Sequence, residues 1–191
     1  MTRRLLCLSF TSDSLMALAM ELAEELILQC FMGNASRISP LLASGAAIDH
    51  KNSDGWTPLA VAAYSGHVNC VEALLMCGAN PVLACKRGRT PLLGACEHGS
   101  AECVRVLLEA GANHEQADTN GNTPLSVAMA NGHLACAQQI IKWCASSNLS
   151  AGNIEQACIA LLLRRRDEIR PAPRSGVRPI SSLSASSFGK V

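Results

Sequence analysis

The sequence predicts an all-α solenoid, a stack of helix-turn-helix units joined by β-turn fingers, and three observations predict it. The first is a recurrence: Asp54-Gly55-Trp56-Thr57-Pro58-Leu59, Arg87-Gly88-Arg89-Thr90-Pro91-Leu92 and Asn120-Gly121-Asn122-Thr123-Pro124-Leu125 repeat without an insertion. The second is the chemistry that opens each unit. A threonine hydroxyl at 57, 90 or 123 caps a helix, and the proline after it occupies a position whose N–H has no helical partner to lose. The third is punctuation: Gly66, Gly99 and Gly132 close first helices, and Gly78 and Gly111 close second ones.

Taken in order, residues 1–13 read as a flexible lead. Arg3 and Arg4 precede Leu5, Leu6, Cys7, Leu8 and Phe10 in the outline of a secretory signal, but the apolar centre is too short and 11–14 is polar where cleavage needs small residues. Residues 14–32 read as one long amphipathic helix that opens a degenerate first unit (14–53) and gives the stack a polar end. Gly33-Asn34, Leu41-Leu42 and Gly45-Ala46 keep the frame, while Pro40 is expected to bend or shorten the second helix of that unit.

Units follow at 54–86, 87–119 and 120–152. Ala62-Ala63, Ala95-Cys96 and Ala128-Met129 are small enough for first helices to approach closely. Second helices carry one apolar stripe each: Val71, Leu74 and Leu75, then Val104, Leu107 and Leu108, then Ala137, Ile140 and Ile141. Cys144 stands where earlier units have Gly78 and Gly111, so the last of these helices lacks its stop. Asn153 and Gln156 form a capping pair ahead of Ile154, Ala157, Cys158, Leu161 and Leu162, which predicts a closing helix at 153–163.

This pattern resembles the ankyrin repeat, in its period of 33 residues and its Thr-Pro-Leu signature. The resemblance implies about four repeats and a non-catalytic module that binds another protein. The histidine that usually follows Thr-Pro-Leu is replaced by Ala60, Leu93 and Ser126, so the hydrogen bonds it makes between neighbouring turns are expected to be absent. The family usually places a histidine at His67 and His133 for local hydrogen bonding.

Composition excludes several function classes. Six aromatic residues and a net charge of +1 argue against a stacking or phosphate-driven binder of nucleic acid. Glu21, Glu24 and Glu25 interrupt the richest apolar run, so no membrane span is expected. The ten cysteines include neither Cys-x-x-Cys nor the spacing of a zinc site, and Cys70, Cys103 and Cys136 recur at one repeat position as small core residues. A reduced state implies a cytoplasmic protein, with the nucleus as the alternative. Asn34-Ala35-Ser36 and Asn148-Leu149-Ser150 would then be unused as glycosylation sites. No Ser-His-Asp or Cys-His arrangement and no phosphate loop emerges. We therefore expect no enzyme, no cofactor and no metal.

Recognition is the default function of a solenoid, through the concave surface of fingers and first helices. Its freely varying positions are Ser53, Asp54, Trp56, Tyr64 and Ser65; Lys86, Arg87, Arg89, Glu97 and His98; and Thr119, Asn120, Asn122, Ala130 and Asn131. Trp56 and Tyr64 read as aromatic anchors, against the plainer reading that Trp56 only packs on a neighbouring finger. Lys86, Arg87 and Arg89 read as a basic patch for an acidic segment, against a merely solvated cluster. Two roles stand, an adaptor or scaffold and a regulatory inhibitor that masks an enzyme, with a monomer the expected state. The tail, 164–191, carries seven basic and two acidic residues with a serine-rich end and reads as disordered. Arg164-Arg165-Arg166 and Ser181-Ser182 there are weak signals for import and phosphorylation.

Overall fold

A threonine cap starts each of three first helices. In this computed structural model, which describes residues 12–146, Thr57 Oγ1 accepts from Ala60 N–H at 3.2 Å, Thr90 from Leu93 at 3.3 Å and Thr123 from Ser126 at 3.3 Å. The helices that follow are α3 (Pro58–Tyr64), α5 (Pro91–His98) and α7 (Pro124–Ala130). Their partners are α4 (Val68–Met76), α6 (Ala101–Glu109) and α8 (Leu134–Ser146). The opening pair is α1 (Ser12–Met32) and α2 (Ala35–Ala43), so four helix pairs stack in chain order. Among the described residues there is no strand. The expected lead 1–13, apart from its last two residues, and the expected closing helix and tail lie outside them.

Two irregularities resolve differently. α2 keeps the nine residues of α4 and α6, so Pro40 does not shorten it. Pro40 is exposed, and the Ser36 carbonyl that its missing N–H would have served is on an exposed residue too, where water can take the bond. α8 runs through Cys144 to Ser146, the last described residue, without the stop that Gly78 and Gly111 give its counterparts.

First helices pack on first helices and second on second, α3 against α5 most extensively. The result is one continuous core from Leu26 to Cys144, in which Leu59, Leu74, Leu92, Val104 and Leu107 are fully buried. Cys70, Cys103 and Cys136 lie in it with no exposed surface and no disulfide. Burial pushes the Cys30 thiol up to about 12 and Cys136 up to about 11, and raises Cys96 as well. These thiols stay protonated and act as compact apolar side chains.

The stack also explains its glycines. A Cβ on Gly88, which has φ of +71°, would sit 3.0 Å from the backbone nitrogen of Thr119 in the next finger. Gly78 has a similar φ of +90° but nothing within 4 Å of such a Cβ among the described residues.

Two stability measurements follow. Leu107→Ala is expected to cost about 2–5 kcal/mol in denaturant unfolding, the range for emptying a packed leucine site, and a loss below about 0.5 kcal/mol would contradict the register. Gly88→Ala should cost more than Gly78→Ala: both bear the left-handed strain of about 1–2 kcal/mol, but only the first also pushes two fingers apart.

Candidate functional site

Each finger is a turn closed on its own backbone. Asn52 N–H donates to Trp56 O at 3.1 Å and Gly55 N–H to Asn52 O at 2.9 Å. Cys85 with Arg89 and Gly88, and Asp118 with Asn122 and Gly121, repeat the pattern at 2.9–3.0 Å. Single backbone bonds then tie finger to finger: Lys86 N–H to Asp54 O at 3.2 Å, and Thr119 N–H to Arg87 O at 3.1 Å. The Thr119 hydroxyl donates to the same Arg87 oxygen at 3.1 Å.

Side chains reinforce two of the three turns. Asn52 Oδ1 accepts from Asp54 N–H at 3.0 Å and Trp56 N–H at 2.9 Å. Asp118 Oδ1 accepts from Asn120 N–H at 2.8 Å and Asn122 N–H at 2.9 Å, while Asn122 Nδ2 donates to Oδ2 at 3.1 Å. These bonds, those from Asn122 first, hold the Asp118 carboxyl below its ordinary range, and the Arg89 charge adds to the effect.

Between units, the histidines that follow the turn glycines reach back. His67 Nε2 donates to Phe31 O at 3.0 Å, and His133 Nε2 to Glu97 O at 3.1 Å. Both carbonyls belong to the last turn of the preceding first helix, where no helical N–H remains to meet them. Position 100 is serine instead. There the space beside Gly66 is filled by the imidazole of His98, from the end of α5.

Most of the residues expected at the binding surface are exposed: Ser53, Asp54, Lys86, Arg87, Thr119, Asn120 and Asn122 on the fingers, and Tyr64, His98, Ala130 and Asn131 at the ends of first helices. Three differ. Trp56 is not an open ring but half-buried, its centroid 5.7 Å from that of Tyr64 at an interplanar angle of 58°. Arg89 does not extend the basic patch: its Nη1 donates to Glu97 Oε2 at 2.7 Å, which neutralises both groups. The Ser65 hydroxyl is enclosed and has no hydrogen-bond partner among the described residues.

The first two differences have one cause. Trp56 and Arg89 are equivalent finger positions, and Tyr64 and Glu97 are equivalent helix ends eight residues later. The finger therefore clasps its own helix, with two rings in one unit and an ion pair in the next. The third pair, Asn122 and Ala130, does not clasp. Asn122 turns to Asp118, and Ala130 carries only a methyl group.

Beside that gap lies a depression of about 330 Å³, lined by Arg89, Leu93, Glu97, Asp118, Asn122, Ser126, Val127, Ala130 and Asn131. Arg89, Glu97, Asn122, Ala130 and Asn131 were expected on this face, whereas Leu93, Asp118, Ser126 and Val127 were missed. The signal for Asp118 was available, because an Asp two residues before Asn-Gly can bond the backbone of its own turn. An ion pair, an amide, a hydroxyl and apolar walls suit recognition of a peptide surface. Among the described residues no group of three or more His, Cys, Asp or Glu side chains is placed to hold a metal ion, and no helix is long and apolar enough to cross a membrane.

A family model for ankyrin repeats (3 copies) matches residues 24–85 and 75–151. No curated protein matches the chain.

The Asp118 bonds carry a pH dependence of known sign. Because its native pKa lies below the unfolded value of about 3.9, its contribution is present above that pH and lost as pH falls through the lower native value. NMR titration of the Asp118 carboxyl should give a midpoint below that of an unstructured peptide, and Asp118→Asn should flatten the acid limb of a stability profile relative to wild type.

Proposed function

Because the chain belongs to the ankyrin repeat family, whose repeats bind other proteins and are typically non-catalytic, we propose that it is an adaptor or scaffold holding a partner against its concave face. The observation that carries this reading is the open clasp. Two units close finger onto helix with their own side chains, and the third leaves a walled depression in the same place. A partner side chain can enter there, between the Arg89–Glu97 pair and the apolar flank of Leu93 and Val127.

Lys86 and Arg87, exposed at the neighbouring finger, support an acidic residue in the same partner segment. In this reading Arg89, paired with its own carboxylate, contributes through that pair and not as a free cation. The eight described cysteines are unpaired, which supports a reducing compartment, cytoplasm or nucleus.

Filling the depression tests the reading. Ala130→Trp replaces an exposed residue, so thermal stability should move by no more than the roughly 0.5 kcal/mol usual for surface sites. Proximity labelling in cells should then lose its strongest partners, by about tenfold or more if the site is a hot spot. Lys86→Glu with Arg87→Glu should weaken the same partners. Capture unchanged by either variant would place binding elsewhere, and an assay of the identified partner with and without purified protein separates adaptor from inhibitor.

A further inference from the structure

The open depression carries a sign. Among its lining side chains Arg89 is the one cation, and it stands with two carboxylates, Glu97 and Asp118, so the walls hold one net negative charge. Arg89 Nη1 donates to Glu97 Oε2 at 2.7 Å, and the Arg89 charge also reaches Asp118. The bonds that hold the Asp118 carboxyl below its ordinary range keep it ionised at neutral pH. The negative excess is therefore permanent there. Because Arg89 and Glu97 are half-buried and Asp118 is buried, salt screens it less than it would on an open surface.

Acceptors are left over as well. Among the described residues no protein donor reaches Glu97 Oε1, nor Asn122 Oδ1, since Asn122 turns its Nδ2 to Asp118 at 3.1 Å. Leu93 and Val127 supply apolar walls beside them. Glu97 and Ala130 stand in the last turns of α5 and α7, and the C-terminal end of a helix favours positive charge. A partner carboxylate is the competing occupant, because Arg89 has N–H groups beyond those of Nη1. It would lie against Glu97 and Asp118 at once, two like charges for one opposite, and the balance goes against it.

We propose that the partner residue entering the depression is basic, an arginine before a lysine, with its methylene stem along Leu93 and Val127 and its guanidinium donating to Glu97 Oε1 and Asn122 Oδ1. The assignment rests on the depression being the docking site proposed above, and adds the chemistry of its occupant. A planar group with five N–H donors can meet acceptors on a helix and a finger together, which a compact ammonium does less well. Lys86 and Arg87 stand three and two residues before Arg89 on the same finger, and three residues of chain span at most about 10 Å. The acid they attract therefore sits within about three extended residues of the arginine. The partner segment is bipolar, its basic residue in the open clasp and its acidic residue toward Lys86 and Arg87.

The probe is a library of short random peptides displayed on phage and selected on the purified full chain, with Ala130→Trp as the counter-selecting variant. Peptides captured by the wild type and rejected by Ala130→Trp should carry an arginine with an Asp or Glu within a few positions. Changing that arginine to glutamine should weaken a synthetic copy of the peptide by about tenfold, or ~1.4 kcal/mol. Glu97→Lys reverses the sign of the lining, so it should lose the arginine peptide and gain the version with glutamate in that place. The gain also shows that the variant folds. Peptides that Ala130→Trp rejects but that bind without a basic residue, or that carry an acid in its place, overturn the basic occupant and leave the docking site standing. An arginine peptide that Glu97→Lys binds as well as the wild type overturns it too. Peptides indifferent to Ala130→Trp, or none enriched at all, overturn the docking site together with its occupant.

Discussion

A helix pair of this length cannot enclose its own apolar side chains. Leu74 and Leu107 are fully buried because the neighbouring units seal them, so every unit is at once the core of the last and the lid of the next. That requirement fixes the spacing. An insertion in one unit would rotate its stripe away from the next, and the cost would fall on the continuous core and not only on the loop that received the extra residue. The same requirement reaches the backbone, where Gly88 leaves room for the amide of Thr119 and Gly55 for that of Lys86. It reaches the helix ends as well, where His67 and His133 satisfy carbonyls that belong to the unit before.

Stacking solves burial in the middle and leaves the two ends unsolved. Among the described residues the first element is accordingly a long one: α1 has 21 residues where the inner first helices have seven or eight. Length widens the face that α1 presents to α2 and α3. In α1 the burial is still incomplete, since half of its apolar residues find nothing among the described residues to cover them.

Local chemistry was legible in the sequence and three-dimensional proximity was not. Thr57, Thr90 and Thr123 act on amides three residues away, and the helix starts follow from them alone. The predicted start of α1 misses the observed one by only two residues, as frayed ends allow. That Pro40 does not shorten α2 depends on which side of the helix faces water, which the sequence does not show. The fingers were misjudged for a related reason. Arg89 and Glu97 are eight residues apart, a separation that pairs them in neither a helix nor a strand, and only the return of the chain from finger to helix end brings them together. Aligning the repeats places Trp56 over Arg89 and Tyr64 over Glu97, but the alignment by itself does not say that the two columns touch.

That contact bears on why this surface stays open and does not simply close on itself. The backbone bonds within and between fingers involve no side-chain identity, so positions 56, 89 and 122 can change without breaking them. What changes is whether the finger holds its own helix end. Tryptophan on tyrosine and arginine on glutamate both close the clasp, and closure removes those groups from competition for a ligand. Asparagine opposite alanine cannot, because Asn122 bonds Asp118 and the methyl of Ala130 reaches nothing. The opening therefore lies where the scaffold is rigid but no side chain spans from finger to helix end. A ligand entering it displaces no internal contact, and it meets an ion pair whose geometry is already set, which lowers the entropic cost of binding.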